Sequence, residues 1–221
     1  YEVPLRHGFK IAYIANLGRY IPGRIWPIFG MIYIAKQMKI SETAAVASWG
    51  MAQLFSIPPS FVVGIATILV YPQMLEGSFS AYMGFGLYIS GLATVVVSLL
   101  LMVIPSRCLA VANYLLAKIK RPPIEFTISV KQAVLVYLSY MVGWMIYGLA
   151  FWVFVHGLIN QPGLSALAGM GAFIISYQIG YLAVFTPAGL GARELVMIAL
   201  LTPYIGPIAG GIAIAARIWN T

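Results

Sequence analysis

The feature that most constrains the fold is a set of long stretches almost free of charge. Phe79–Ile104, Ala44–Tyr71 and Ser165–Phe185 contain no acidic or basic residue, and Val130–Val155 contains only Lys131. A helix that crosses a membrane needs about 20 mostly apolar residues, and each stretch has that length. The sequence therefore predicts an all-α polytopic integral membrane protein, built as a helical bundle.

The scarcity of charge also excludes an ordinary soluble fold. Charged residues make up 8% of the chain, whereas soluble domains contain about 25%. The net charge of +8 falls at the ends of the apolar stretches. That pattern is typical of the positive-inside bias and of attraction to anionic headgroups. We therefore expect membrane lipids, and not nucleic acid, as partners.

No hydrophilic stretch is long enough to form a separate soluble domain, which predicts a single transmembrane domain over residues 1–221. The chain begins without methionine and ends at "ARIWNT", where another apolar run is developing. We expect a fragment that lacks N-terminal helices and the end of the last helix.

Basic residues orient the predicted spans. The loops near Glu76 and over residues 156–164 contain no lysine or arginine, whereas the central loop is strongly basic. The positive-inside rule then predicts a cytoplasmic central loop, with Ser106–Ile119 lying along the interface. The basic residues of this loop are Arg107, Lys118, Lys120, Arg121 and Lys131.

Two Pro/Gly breaks that carry charge interrupt short apolar pieces near the ends of the chain. The first lies in "NLGRYIPGRIW" and the second in "FTPAGLGARELVMIALLTP", which we expect to continue as a short helix over Glu194–Leu201 and to start afresh at Gly206. Such breaks predict re-entrant half-helices, whose N-termini bind anions in many transporters. The turn residues predicted for them are Pro22, Gly23, Pro187, Gly189 and Gly191.

The sequence lacks the residue patterns that metal binding and enzymatic catalysis require. His7 and His156 have no metal-ligand spacing, Cys108 is the only cysteine, and the chain contains no aspartate. No phosphate-binding loop or Gly-x-Ser-x-Gly element is present. We therefore expect no enzymatic activity, no metal and no cofactor.

At these motifs the sequence resembles the membrane region of the lysylphosphatidylglycerol synthase/flippase family. The resemblance rests on "GRYIPGRIW", "ISETAAVAS" and "FTPAGLGARELVMIALL", and runs from about Asn16 to Arg217. It implies a stand-alone helical domain of a prokaryotic plasma membrane that moves a lipid between leaflets. The aminoacyl-transferase domain of fused members is absent, and so is the acidic residue expected near Ala52.

We expect the two breaks to meet at one cavity that holds the anionic headgroup of a phospholipid or polyprenyl-phosphate-type lipid. Structural alternatives stay open, because an arginine can snorkel to the interface and Glu194 can cap its helix or pair with Arg193. Gln178 can line the cavity or join two helices. The residues predicted to bind substrate are Arg19, Tyr20, Arg24, Gln178, Arg193 and Glu194.

Two other functions remain open at this point. One is a secondary transporter for a small soluble anion, which would use the same broken helices. The other is a non-transporting subunit of a cell-envelope or glycolipid-synthesis complex. A homo-oligomer or a membrane-complex partner is compatible with each.

Overall fold

The computed structural model describes residues 5–16, 26–75, 80–118, 123, 128–160, 162–183 and 189–220. These residues form α-helices and short 3-10 turns, with no strand among them. The all-α membrane fold predicted from the sequence is confirmed. The helices are α1 (Leu5–Asn16), α2 (Trp26–Gln37), α3 (Glu42–Val70), α4 (Ser80–Val103), α5 (Pro105–Lys118), α6 (Val130–Leu158), α7 (Ala166–Leu182), α8 (Ala192–Ile205) and α9 (Ala209–Trp219).

Helix starts follow local capping chemistry. The backbone N–H of Ala44 donates to Ser41 Oγ at 3.4 Å, and that of Ala168 donates to Ser165 Oγ at 3.2 Å. Each serine satisfies an N–H group that has no partner within the first turn of its helix. Ser41 and Ser165 therefore cap α3 and α7.

Helix α3 runs without a break through Pro58 and Pro59. Nearby carbonyls receive side-chain donors: Ser60 Oγ donates to the Ile57 carbonyl at 2.6 Å, and Trp144 Nε1 donates to the Ser56 carbonyl at 3.0 Å. The Trp144 hydrogen bond joins α6 to α3 beside the prolines. The carbonyls that lose a helical donor to these prolines lie four residues earlier, at Leu54 and Phe55.

The contacts divide the chain into two compact units, residues 1–54 with 104–129 and residues 55–103 with 130–221. The expectation of one transmembrane domain stays a prediction. In the first unit α1 contacts α2, and a small apolar core lies between them. Its buried residues are Ile11, Ala15, Met31, Ile34, Ala35 and Ala45.

Helix α7 is the centre of the second unit. Its residues from Ala168 to Ser176 are all buried, and it packs against both α6 and α8. Phe151 of α6, Phe173 of α7 and Leu200 of α8 are each fully buried in this core. An apolar helix surrounded in this way is held by its neighbours on every side.

Helices α3 and α7 of this second unit each place a glycine against a side chain of the other helix. A Cβ built on Gly64 would lie 2.5 Å from Ile175 Cγ1, and one built on Gly171 would overlap the Thr67 hydroxyl. Small residues allow membrane helices to approach closely, which increases their van der Waals contact. Each helix therefore supplies a glycine at the point where the other helix presses against it.

Three helical segments are long and apolar enough to cross a membrane: Glu42–Val70, Val130–Leu158 and Ala192–Trp219. The pair Ile89–Val103 and Pro105–Val111 adds a fourth if it counts as one broken span. These assignments rest on length and composition in the described part of the chain.

The segment Ala192–Trp219 is not straight. It divides at Gly206, which has φ 58° and ψ −142°, and α9 then packs against α8. An α-helix rises about 1.5 Å per residue, so α8 and α9 are each about 16 to 21 Å long, shorter than the hydrocarbon core of about 30 Å. We call this pair the C-terminal hairpin. The short helix expected over Glu194–Leu201 is longer than predicted, since α8 continues through Pro203 to Ile205, and the fresh start expected at Gly206 is present.

Candidate functional site

The turn between α7 and α8 is built on two glycines with positive φ. Gly189 has φ 71° and Gly191 has φ 84°, a region that other residues rarely adopt. A Cβ on Gly189 would lie 2.5 Å from the carbonyl oxygen of Gly180, so this turn is pressed against the end of α7. The predicted turn roles of Gly189 and Gly191 are therefore consistent with the backbone.

Glu194 ties this turn to the far end of the hairpin. Its Oε2 accepts the Gly191 backbone N–H at 2.7 Å, and its Oε1 accepts a hydrogen bond from Arg217 Nη1 at 2.6 Å. The Glu194 side chain is 17% exposed and that of Arg217 is 30% exposed. The sequence left open a cap or a pair with Arg193. The structure has the cap, and the ion pair is made with Arg217.

Arg193 lies among aromatic rings. Its Cζ is 5.1 Å from the centroid of the Tyr177 ring and 5.4 Å from that of Phe173. Cations at this distance are attracted by the negative face of the ring. Its Nη2 is buried and has no hydrogen-bond partner among the described residues. A buried guanidinium nitrogen without an acceptor is costly. Arg193 is therefore the leading candidate for a residue that binds an anion.

Aromatic side chains of three helices surround this arginine. The Tyr147 ring of α6 is 4.9 Å from the Phe173 ring and 6.2 Å from the Tyr177 ring, both of α7. The Trp219 ring of α9 is 5.9 Å from that of Phe173. Edge and tilted contacts of this kind favour a fixed arrangement of the rings.

The arginine lies near the middle of a membrane-length helix. Trp144 is the central residue of α6, Val130–Leu158, and its ring is 5.4 Å from that of Tyr177. Because Arg193 Cζ is 5.1 Å from the Tyr177 centroid, it lies nearer the middle of α6 than either of its ends. The break between α7 and α8 therefore lies at mid-depth along this span. Ionisable groups at such a depth usually serve function.

An open groove lies beside the arginine, with a volume of about 410 Å³. Tyr147 connects the two, because it lines the groove and also contacts Tyr177. Among the described residues, no charged side chain lines the groove. The residues that line it are Ser56, Ser139, Tyr140, Gly143, Trp144 and Tyr147.

Gln178 is buried inside α7, with 2% of its surface exposed. Its role as a ligand stays a prediction, as does its alternative role between helices. The other predicted residues lie outside the described part of the chain, so the meeting of the two breaks also stays a prediction. They are Arg19, Tyr20, Pro22, Gly23, Arg24 and Pro187.

Sequence reasoning missed Arg217, Tyr147, Phe173 and Trp219. Arg217 could have been identified from its position at the end of the apolar run "GPIAGGIAIAA", where an arginine is unusual. The aromatic residues carry no comparable signal, because rings at these positions are equally compatible with packing. In the described residues no group of three or more His, Cys, Asp or Glu side chains could hold a metal.

The comparisons with known proteins agree with the motifs. A family model described as the lysylphosphatidylglycerol synthase TM region matches residues 1–220 of the 221-residue chain. Neither the curated proteins nor the solved structures provide a match. The family model covers both predicted breaks and the whole of the site around Arg193. The chain therefore belongs to the lysylphosphatidylglycerol synthase TM region family.

Proposed function

We propose that this protein moves a phospholipid or polyprenyl-phosphate-type lipid between the leaflets of the membrane, and that Arg193 holds the phosphate of the headgroup. The observation that supports this most directly is the buried Nη2 of Arg193, which has no acceptor among the described residues. A phosphate oxygen supplies that acceptor. Arginine suits phosphate because its planar fork can donate two parallel hydrogen bonds.

The position of Arg193 strengthens the case for an anion. It is the second residue of α8, so it lies at a helix N-terminus, where backbone dipoles favour negative charge. Glu194 and Arg217 neutralise each other in their ion pair. Arg193 therefore leaves the site with one net positive charge, which matches the single negative charge of a phosphodiester.

The groove supports a lipid, since a lipid needs a polar path for its headgroup and an apolar path for its chains. Ser139 and Tyr140 offer hydroxyl groups on one part of α6. Around them, Val142, Met145 and Ile146 are exposed and apolar. A headgroup in the groove would keep its polar contacts while its acyl chains remain beside apolar side chains.

The test uses purified protein reconstituted in vesicles that contain a trace of fluorescent phosphatidylglycerol. An impermeant quencher added outside reports how fast inner-leaflet probe becomes accessible. Wild-type vesicles should lose the protected fraction much faster than protein-free vesicles, and Arg193→Gln vesicles should behave like protein-free ones. The melting temperature of this variant should stay close to that of wild type.

Two results would overturn the proposal. Equal rates in wild-type and protein-free vesicles would contradict lipid transport. The hypothesis of a non-transporting accessory subunit would then remain. Release of entrapped inorganic phosphate without movement of the lipid probe would identify a transporter of a small soluble anion instead. The second measurement is needed because a headgroup phosphate and a free phosphate present the same oxygens to Arg193.

A further inference from the structure

We propose that the groove beside Arg193 selects lipids whose phosphate carries an uncharged, polyhydroxyl headgroup, such as glycerol, inositol or a sugar, over lipids with a cationic headgroup. This inference rests on the proposed lipid transport and names the class of substrate. It follows from three properties of the groove: its hydroxyl groups, its lack of carboxylates and its distance from the arginine.

The hydroxyl groups of the groove can both donate and accept hydrogen bonds. Tyr140 has no hydrogen-bond partner for its hydroxyl among the described residues, so its donor is available to a ligand. Ser139 Oγ donates to the Val136 carbonyl at 2.7 Å, which leaves its lone pairs free to accept. A polyol presents both hydrogen-bond donors and acceptors in a small space. The neighbouring hydroxyls of Tyr140 and Ser139 offer it one donor and one acceptor.

The rings of the groove suit the same headgroup. Trp144 donates its Nε1–H to the Ser56 carbonyl at 3.0 Å, so its indole is fixed in position. Tyr147 is held by ring contacts with Phe173 and Tyr177. Sites for small molecules are commonly lined by aromatic side chains with a few placed polar groups, and their volumes run from about 300 to 1,000 Å³. The volume of about 410 Å³ suits a compact headgroup.

The groove offers no counter-ion to a cation. None of its lining residues is acidic, and the nearby Glu194 has one oxygen bound to Arg217 and the other to the Gly191 N–H. Arg193 adds a positive charge over the Tyr177 ring, which contacts the groove residue Tyr147. An ammonium group in this position would lose its hydration and would face a like charge, and both effects oppose binding.

The geometry places a headgroup next to its phosphate. Tyr147 lines the groove, its ring is 6.2 Å from the Tyr177 ring, and Arg193 Cζ is 5.1 Å from the Tyr177 centroid. Tyr147 therefore connects the hydroxyl-lined groove to the ring that the guanidinium contacts. In this proposal the phosphate lies at Arg193 and its attached polyol on the groove side of Tyr147.

The experiment compares three fluorescent lipids in separate vesicle preparations: phosphatidylglycerol, phosphatidylinositol and lysylphosphatidylglycerol. The first two should cross at least about tenfold faster than the third, because an unpaired desolvated charge is costly. Tyr140→Phe should slow the first two by about three- to tenfold, the effect of one lost hydrogen bond, and should leave the third unchanged. Ser139→Ala, which removes the second hydroxyl, should slow the same two lipids.

Tyr114→Phe is the matched control, since Tyr114 is 61% exposed on α5 and does not line the groove. It should leave all three rates unchanged. Equal rates for the three lipids, or a faster lysylphosphatidylglycerol, would overturn the inference and leave lipid transport standing. If no lipid moves at all, transport itself fails, so the two failures are distinguishable.

Discussion

Arg217 Nη1 lies 2.6 Å from Glu194 Oε1, although 23 residues separate the two in the chain. In one continuous helix they would stand about 35 Å apart. The contact therefore requires α9 to return alongside α8, with the reversal at Gly206. Both ends of the C-terminal hairpin then lie at the same level as Arg193, so the ion pair closes the hairpin beside the candidate site.

The ion pair should stabilise the hairpin. Arg217→Gln removes a charge-assisted hydrogen bond from a mostly buried carboxylate, and we expect the free energy of unfolding to fall by about 1–3 kcal/mol. Thermal melts in detergent measure the change. Arg107→Gln, at an exposed position of α5, is the control and should melt like wild type. Identical melting of the Arg217 variant would show that the pair contributes nothing.

Arg193 should matter for transport more than for stability. Arg193→Gln should abolish lipid movement in vesicles, and Arg193→Lys should restore only part of it, because a point charge does not replace the planar fork. Arg193 makes no ion pair among the described residues, so neither change should lower the melting temperature as Arg217→Gln does. A stable Arg193→Gln protein with normal lipid movement would remove Arg193 from the mechanism.

Gly180 should be sensitive to a single methyl group. A Cβ there would lie 2.6 Å from Arg193 Cβ, so Gly180→Ala must displace the start of α8. We expect slower lipid transport and a free energy of unfolding lower by about 1–3 kcal/mol. Gly50→Ala is the matched control, because nothing lies within 4 Å of its Cβ position. Equal stability and transport in the two variants would contradict this close contact.

The central loop should face the cytoplasm. Wild-type protein suits the test, because Cys108 is its only cysteine and lies at the start of α5. An impermeant maleimide should label Cys108 in inverted membrane vesicles but not in intact cells. Labelling from outside intact cells would reverse the orientation predicted from the basic residues.

The sequence predicted the helices well, because apolar length and capping residues are local properties. The stretch Phe79–Ile104 forms helix α4, Ser80–Val103, and Val130–Val155 forms α6, Val130–Leu158. The span expected over Ser165–Phe185 forms the shorter α7, Ala166–Leu182, which is not among the candidate spans. The chain reversal was harder to predict. The new start expected at Gly206 is present, and Pro203 permits α8 to continue up to it. The sequence does not indicate that the positive φ of Gly206 turns α9 back along α8.

The candidate site was predictable only in part, for a physical reason. Arg193, Gly189 and Gly191 lie in one short motif, so their chemistry can be read from adjacent residues. Arg217 and Phe173 reach the site from other helices, and their meeting depends on how α7, α8 and α9 pack. Periodicity indicates which side of a helix is buried, but it does not indicate which neighbour it meets.

The glycine contacts between α3 and α7 have a mechanical consequence. At Gly64 the Ile175 side chain lies against the α3 backbone, and at Gly171 the Thr67 side chain lies against the α7 backbone, so a shift along the helix axes would meet both side chains. These contacts therefore resist sliding of the two helices past each other. A transport cycle that exposes the groove to one leaflet and then to the other would have to keep both contacts or break them together.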